Sequence, residues 1–306
     1  MFILAFTACQ TGGQEAVAVE EAHQPITVTL LHMNDTHSHF EAGNEKLTIL
    51  DSETLTCTTL GGITRLVTKV HEMNEEREYV LFLHAVDMIQ GTLYYTLYNG
   101  EADARFYNMV GVHALVAGNH EFDRSSQGIA DLYSNAEFPI IAANLDVSDE
   151  PLLAYIIQPY QILTVRSEQI GVIGVAIDEQ GIVCDYQGNP VLLAGDSFRT
   201  NDREDITGKD LAAVQAAIAE NPRIEIVEED PDAVALLQEY SAGVEKFNNT
   251  AVGAVTEDLT HARVPDEDMP MGSEIAPVVC DGMLWKAQEM GIDADIAIQN
   301  AGGSKN

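Results

Sequence analysis

Three short stretches of this 306-residue sequence place carboxylate, imidazole and amide side chains directly after apolar runs. Asp35 and His37 follow the first run, Asp87 follows the second, and Asn119, His120 and Asp123 follow the third. Such oxygen and nitrogen donors are the ligands that divalent metal ions take from proteins. Alternate residues of an extended segment point the same way, so Asp35 and His37 can face one ion. These residue types therefore predict a metal site.

The apolar runs are predicted to be buried strands because they are short, continuous and bounded by polar clusters. Between the second and third runs, Glu101 to Val110 has helical spacing, so the unit reads strand, helix, strand. In parallel α/β sheets, ligands bind at the edge where the strands end. The predicted strands are Ile26–Met33, Val80–Ala85, Ala114–Ala117, Phe138–Leu145, Ile170–Ala176 and Ile296–Gln299. Further helices are predicted over Gly61–Glu76, Ile129–Tyr133, Lys209–Ala219, Asp232–Asn248 and Gly272–Met290.

The composition is that of a strongly acidic globular protein. Fifteen basic and 49 acidic residues give a net charge of -34, and 46% of the residues are hydrophobic. A surface this negative repels nucleic acid and anionic lipid, so neither is predicted as a partner. We interpret the acidity as adaptation to a salty exterior. An anionic phosphate substrate would need local cations, which bound metal would supply.

The beginning of the sequence resembles the end of a bacterial lipoprotein signal. An apolar run from Phe2 to Ala8 precedes Cys9, the position at which such signals are acylated. The alternative is an ordinary apolar N-terminus. Thr11 to Gln24 is predicted to be a flexible tether. No apolar run approaches the roughly 20 residues of a membrane helix, so we expect an exported periplasmic or cell-envelope protein anchored only through a lipid on Cys9.

The other cysteines do not form a metal-binding pattern. Cys57, Cys184 and Cys280 are widely spaced and lack a CxxC pair, which argues against a zinc finger. Cys57 is predicted to lie in a polar loop, and the other two are predicted to be buried thiols.

Several residues with chemical potential are assigned structural roles. His32 and His84 lie inside predicted strands and are interpreted as packed core histidines. His39 and His261 are interpreted as loop and linker histidines, and Trp285 as a packed residue.

Three motifs in this order resemble the calcineurin-like metallophosphoesterases, and more narrowly the secreted 5'-nucleotidase and UDP-sugar hydrolase family. They are NDTHSHFE (34–41), Asp87 followed by IQGT, and GNHEFD (118–123). Further similar segments are GGITRLVTKV, FPIIAANLDV, IGVIGVAI, GSEIAPVVCDGML and ADIAIQNAGG. The resemblance covers nearly the whole chain after about the first twenty residues. It implies an α/β class fold, the metallophosphoesterase-type α/β/β/α sandwich.

The resemblance also implies roles for individual residues. The implied metal ligands are Asp35, His37, Asp87 and Asn119. Asp87 would bridge two divalent ions, which in the family are manganese, zinc, cobalt or iron. His120 would donate a proton or stabilise charge on the phosphate, oriented by Asp123. The implied reaction is attack by metal-bound hydroxide on a nucleotide or nucleotide-sugar substrate.

The sequence departs from the family pattern in three places. The family has glycine before the bridging aspartate, whereas this sequence has Val86, which predicts a strained or displaced Asp87. Two family motifs that supply three further histidine ligands are missing after Ile177, which predicts an internal deletion. The sequence ends near Lys305, before the substrate-binding arginine and the base-stacking aromatics. A second ion would have only Asp87 and Asn119, so we expect one bound ion or none.

These observations predict three segments. Residues 1–24 would be the clipped signal and tether, and 25–230 an incomplete metallophosphoesterase domain lacking a block after 177. Residues 231–306 would be a linker helix and the beginning of an α+β C-terminal nucleotidase domain.

Three functional hypotheses follow. The first is an exported phosphoesterase that hydrolyses nucleotide phosphomonoesters or the pyrophosphates of UDP-sugars and dinucleotides. The second is a catalytically inactive surface lipoprotein that binds one metal ion or a nucleotide. The third is a defective gene product that folds poorly because core strands are missing.

Overall fold

A computed structural model describes residues 4–6, 26–50, 54–165, 168–175, 190–251, 256, 258–260 and 273–298. The chain divides into two compact units, Met1–Asn248 and Asn249–Asn306. The predicted block deletion after residue 177, the acylation site Cys9, Cys184 and His261 lie outside the described residues.

The described strands and helices are numbered here in chain order. The strands are β1 Leu4–Phe6, β2 Thr29–Asn34, β3 Gly43–Thr48, β4 Leu55–Leu60, β5 Val80–Ala85, β6 Ala114–Val116, β7 Ile140–Ile141, β8 Ile157–Gln158, β9 Tyr160–Val165, β10 Glu168–Ile173, β11 Leu192–Thr200 and β12 Ile224–Ile226. The helices are α1 Ile63–Glu76, α2 Leu93–Tyr98, α3 Glu101–Val110, α4 Ser125–Asn135, α5 Gly208–Ala219, α6 Pro231–Asn248 and α7 Ile275–Glu289. A short 3-10 helix covers His120–Phe122.

A five-stranded parallel sheet forms the centre of the first unit. Its strand order is β2-β5-β6-β7-β8, and each neighbouring pair runs parallel. All six residues of β5 are buried, as expected for a strand covered on both faces. Parallel strands end at the same edge of a sheet, so the residues that follow β2, β5 and β6 come together there. The predicted α/β class is confirmed.

Different layers cover the two faces of this sheet. On one face, helices α1, α3, α4 and α6 contribute to the main hydrophobic core, whose fully buried members include Val67, Phe106, Leu115, Ile129 and Ile140. On the other face, Val172 of the antiparallel β9–β10 pair packs in a smaller cluster with residues of β5, β6 and β7. The main strands are therefore buried by helices on one side and by a second sheet on the other, as a layered sandwich requires.

A third, four-stranded sheet has the order β12-β11-β4-β3. Helix α5 packs against it through Val214 and Ile218, which lie in a cluster with Phe198 of β11. Its hairpin β3–β4 connects β2 to α1, and the sequence interpretation missed it because Gly43–Thr48 is mostly polar and exposed.

Several element boundaries differ from the predictions. The predicted strand over Phe138–Leu145 is reduced to β7, because the chain turns after it and the Leu145 N–H donates to the Ala142 carbonyl. Strand β9 was not predicted. In the second unit, residues 296–298 are not part of a strand. Helix α4 is longer than predicted, because it begins at Ser125.

Four predicted environments are wrong. His32 is exposed, not packed, because β2 is an edge strand of its sheet and this residue alternates with the half-buried ones. Cys57 lies within β4 instead of a loop, since a run of threonines with β propensity surrounds it. Cys280 is only half-buried. Trp285 is 63% exposed, and none of the described residues of its helix α7 is buried.

In the described part of the chain, no helix combines the length and the apolar character needed to cross a membrane.

Candidate metal and phosphate site

Two loops that leave neighbouring strands run side by side at the carboxyl edge of the parallel sheet. The Asp35 N–H donates to the Val86 carbonyl at 3.1 Å, and the His37 N–H donates to the Asp87 carbonyl at 3.1 Å. The Ser38 N–H continues the series with the Met88 carbonyl at 3.0 Å. The strand pairing of β2 with β5 is thereby extended past the ends of both strands. It fixes the backbone that carries His37 and Asp87.

These two loops contain most of the described non-glycine residues with positive φ. Nine described non-glycine residues have positive φ, and six of them lie here: Asp35, His37, Ser38, Val86, Asp87 and Gln90. Left-handed conformations cost L-residues roughly 1–2 kcal/mol each, somewhat less for aspartate. Observed strain of this kind at a strand exit points to a functional loop held in place by its surroundings.

Val86, the residue expected to disturb Asp87, has an unfavourable backbone conformation itself, and Asp87 also has a positive φ. The φ of Val86 is 44°, although a β-branched side chain resists the left-handed region. Its backbone is held by a 2.9 Å bond from its N–H to the Val116 carbonyl and by the bond it accepts from Asp35. The side chain is half-buried against the cluster that contains Leu83. The position thus combines useful packing with an unfavourable backbone conformation.

We expect Val86→Gly to be more stable than Val86→Ala by about 1–2 kcal/mol. Both variants lose the packed isopropyl group, but only glycine is free of the penalty at positive φ. The free energies of unfolding from urea denaturation provide the measurement. Equal stabilities for the two variants would show that Val86 is not held in the left-handed conformation.

Three side chains with metal-binding atoms converge above the loops. One ligand atom each of His37, Asp87 and His120 lies within 4.8 Å of the other two. The imidazole rings of His37 and His120 meet edge to face, with centroids 5.0 Å apart. The backbone N–H of His120 also donates to Asp87 Oδ1 at 3.1 Å, and this bond connects the loop after β6 to the loop after β5. The mixed imidazole and carboxylate set fits a divalent transition metal ion.

His120 is oriented by a carboxylate. Its Nδ1 lies 2.7 Å from Asp123 Oδ2, one turn further along the 3-10 helix. Because a carboxylate only accepts hydrogen bonds, Nδ1 carries the proton, and Nε2 is the atom left for chemistry. The hydrogen bond to Asp123 raises the pKa of His120, with smaller contributions from the charges of Asp123, Asp87 and Glu121 and opposition from partial burial. The imidazolium form of His120 is therefore favoured more than in a free histidine.

Replacing Asp123 by asparagine is expected to lower the pKa of His120 towards that of a free histidine. Because the pKa of His120 is higher in the folded chain than in the unfolded chain, protonation of His120 stabilises the folded chain at pH values below its unfolded-state pKa. This stabilisation is lost as the pH rises through its folded-state pKa. Asp123→Asn should therefore narrow the pH range over which His120 remains charged. NMR titration of the His120 ring protons measures this effect. Asp149→Asn, an exposed position elsewhere, is the control, and equal His120 pKa values in both variants would contradict the assignment.

The other two predicted ligands lie next to this cluster in sequence. Asn119 is exposed and directly precedes His120, at the end of the loop from β6. Asp35 is exposed and does not belong to the described group of three, and its Oδ2 accepts a hydrogen bond from the Asn34 side chain. The predicted ligand role of Asp35 and the non-ligand role of His120 remain predictions.

A buried polar layer supports the loop that carries His37. Thr36 contacts His84 Nε2 at 2.9 Å, and His84 packs edge to face on Tyr107. Burial, assisted by the charge of His32, lowers the pKa of His84 to about 3, so His84 is neutral at physiological pH. Its predicted position as a buried, hydrogen-bonded histidine agrees with these contacts.

Ser38 connects the same loop to helix α3. Its hydroxyl donates to Asp103 Oδ2 at 3.1 Å, and burial raises the pKa of the fully enclosed Asp103 carboxyl well above its usual range. The second oxygen of Asp103 has no hydrogen-bond partner within the described residues. A neutral carboxylic acid is the form that tolerates such an environment.

Sequence reasoning missed Glu121 and Gly118. Glu121 is 0% exposed, and its carboxylate accepts backbone N–H groups from both exit loops. Burial raises its pKa, while the hydrogen bonds from Gly118 and Asp87 act in the opposite direction. A Cβ on Gly118 would overlap Asp87 Oδ1 and lie 2.6 Å from the Val86 Cβ. The signal available in the sequence is a charged residue inside the motif GNHEFD.

The fold and the site define an α/β protein with a cluster of potential metal ligands at the carboxyl edge of its parallel sheet. Residues 28–211, more than half of the chain, match the calcineurin-like phosphoesterase family. The chain belongs to this family. The resemblance inferred from the three motifs is thereby confirmed.

Known relatives support the narrower resemblance to 5'-nucleotidases. The chain is 39% identical over 163 residues to the 5'-nucleotidase of Bos taurus, covering 52% of this chain and 28% of the relative. It is 33% identical over 171 residues to the NAD 5'-nucleotidase of Haemophilus influenzae, covering 56% and 28% of the two chains. The chain thus matches little more than a quarter of the length of these relatives. Homology to these enzymes supports a hydrolase by resemblance.

Solved structures confirm the fold. The NAD nucleotidase of Haemophilus influenzae superposes with a TM-score of 0.63 at 19% identity, over 84% of this chain and 68% of that one. A 5'-nucleotidase precursor from Thermus thermophilus gives 0.54 at 22% identity, over 86% and 68%. The metallophosphoesterase type of fold predicted from the sequence is therefore confirmed.

Proposed function

We propose that this chain is an exported, metal-dependent phosphoesterase that hydrolyses nucleotide phosphomonoesters or the pyrophosphates of UDP-sugars and dinucleotides. The observation that carries the proposal is the convergence of His37, Asp87 and His120 beside the His120–Asp123 hydrogen bond. The nucleotide class is supported by the relatives, which are named 5'-nucleotidase and NAD 5'-nucleotidase.

The residues fit a divalent metal ion. His37 and Asp87 offer imidazole and carboxylate atoms within 4.8 Å, and Asn119 adds an amide oxygen in the adjoining loop. A divalent ion bound there would supply Lewis-acid polarisation of the phosphoryl oxygens. It would also place positive charge at the site of a protein whose net charge of -34 repels an anionic substrate.

His120 contributes the proton chemistry. Asp123 keeps the proton on Nδ1 and stabilises the imidazolium ion, so Nε2–H is available to the leaving-group oxygen or to the charge that develops on the phosphoryl group. The hydrogen bond from the His120 N–H to Asp87 fixes the distance between the proton donor and the metal-binding carboxylate. Asp123 orients His120 without contacting substrate.

The experiment is metal analysis combined with phosphate release in one sample. Purified chain is equilibrated with manganese, its metal content per chain is determined, and phosphate release from AMP, UDP-glucose and NAD is followed before and after EDTA treatment. Turnover that EDTA abolishes and manganese restores is the expected result. Metal-independent turnover, or none at full metal occupancy, would contradict the proposal.

A second candidate is a protein that binds one metal ion or a nucleotide without catalysing hydrolysis. It is favoured by the strained Val86 before Asp87, and by the described cluster, which offers three donor side chains and none C-terminal to His120. Stoichiometric binding of one manganese ion without phosphate release is its signature.

Export through a lipid anchor on Cys9 is part of the proposal. Its support is the apolar run before this cysteine in the sequence. Metabolic labelling with an alkyne-bearing fatty acid in a bacterial host should mark the chain in the envelope fraction, and Cys9→Ser should abolish the label. Equal labelling of the variant would exclude acylation at this residue.

A further inference from the structure

The carboxylate of Glu121 lies at the centre of a set of backbone donors. Its Oε2 accepts from the Gly118 N–H at 2.6 Å and from the Asp87 N–H at 3.0 Å. Its Oε1 accepts from the Met88 N–H at 2.8 Å and from the Ile89 N–H at 3.4 Å. The residue is 0% exposed, so its described hydrogen bonds all come from protein groups. Successive backbone N–H groups around an anion form the arrangement known as a nest.

The four donors belong to two different loops. Three of them follow β5, and Gly118 follows β6. Glu121 accepts hydrogen bonds from both loops, in addition to the bond from the His120 backbone N–H to Asp87 and the pairing of β5 with β6, which the Val86 N–H continues to the Val116 carbonyl. It holds the segment in which Val86 and Asp87 have positive φ, so its hydrogen bonds offset the unfavourable backbone conformation there.

We propose that Glu121 is a positioning residue that locks the loop bearing Asp87 onto the loop bearing Asn119 and His120, and so sets the spacing of the metal-binding atoms. Glu121 acts through the backbone and touches neither substrate nor metal. This inference rests on the proposed function, because the geometry being set is that of the proposed metal site.

The chemistry of the nest selects glutamate. Four N–H groups require a group with acceptors only, which an ionised carboxylate provides. Glutamine presents an NH₂ group to two of the donors, whichever way its amide is turned. Aspartate is shorter by one methylene and would withdraw its oxygens from at least one loop. Each donor left unpaired in this buried place costs about 1–3 kcal/mol.

The test compares Glu121→Gln with the unsubstituted chain. Isothermal titration with Mn²⁺ should show a dissociation constant about 10–100-fold weaker in the variant, the range seen when groups behind metal ligands are removed. Amide hydrogen exchange followed by NMR should show faster exchange at Gly118, Asp87, Met88 and Ile89. Far-UV circular dichroism establishes that the variant remains folded.

Glu229→Gln is the control. Glu229 accepts the Thr64 hydroxyl at 2.8 Å and lies 3.8 Å from Arg65, so its amide variant makes the same change of chemistry at a carboxylate that accepts no described hydrogen bond from the two exit loops. Its Mn²⁺ dissociation constant should stay within about twofold of the unsubstituted chain. Unchanged Mn²⁺ affinity in folded Glu121→Gln would overturn the proposal, as would an equal loss in both variants.

Hydrogen exchange distinguishes a failure of this proposal from a failure of the proposed function. If Glu121→Gln does not fold, the test is hydrogen exchange in the unsubstituted chain. The amides of Gly118, Asp87, Met88 and Ile89 should then exchange as slowly as those of β5. Exchange as fast as in exposed loops would overturn the proposal. If the unsubstituted chain binds no Mn²⁺, the proposed function fails. The loop lock is then supported by protection that Glu121→Gln abolishes, and overturned by protection that it leaves unchanged.

Discussion

Phosphate release by the manganese-loaded chain is expected to fall by about 10²–10⁴-fold in kcat when His120 is replaced by alanine. The imidazole is held by Asp123 through Nδ1, and in the proposed mechanism Nε2 would donate to the reacting phosphoryl group. An interaction that develops only in the transition state lowers kcat and leaves KM nearly unchanged. The measurement is steady-state phosphate release from AMP at saturating manganese.

His39→Ala is the control for this prediction. His39 is exposed and lies two residues beyond His37 in the same loop, but it does not belong to the described metal-binding group. Its replacement should leave kcat unchanged. Comparable losses in both variants would indicate a general disturbance of the loop, and full activity of His120→Ala would remove His120 from the mechanism.

The largest expected effect on stability is at Phe106. This side chain is 0% exposed and lies between Phe40, with ring centroids 4.7 Å apart, and Tyr240 of α6, at 6.3 Å. Phe106→Ala leaves a cavity where α3 meets both neighbours, and such truncations cost about 3–5 kcal/mol. Urea denaturation followed by circular dichroism should show this loss in the free energy of unfolding.

Phe247→Ala provides the comparison, because that ring is 53% exposed and its loss should change stability by no more than about 0.5 kcal/mol. The same experiment addresses the hypothesis of a poorly folding gene product. A cooperative transition that Phe106→Ala shifts and Phe247→Ala does not would exclude that hypothesis. A broad, non-cooperative transition in the unsubstituted chain would favour it.

The elements around the site were predictable because their sequences carry strong local signals. The apolar run of β5 and the 3.6-residue period of α3 gave boundaries that match the structure. The bond between His120 and Asp123 was implied by the family resemblance, because both residues lie in the motif GNHEFD. Short-range patterns of this kind need no knowledge of the rest of the fold.

Features that depend on distant partners were not predictable in this way. The polar hairpin β3–β4 is stabilised by pairing with β11, more than a hundred residues later. Glu121 appears in the sequence as an ordinary charged residue, and only the fold reveals that four backbone donors surround it. His32 was misassigned because the strand order, not its own neighbours, makes β2 an edge.

The cluster of left-handed residues in the two exit loops has a consequence for laboratory evolution. Asp35, His37, Ser38, Val86 and Asp87 are positions where replacement by glycine relaxes the backbone. A screen that selects variants for heat resistance alone would therefore enrich substitutions within the two loops that carry the proposed metal site. Selection would have to demand binding together with heat resistance, because here the two properties favour opposite residues.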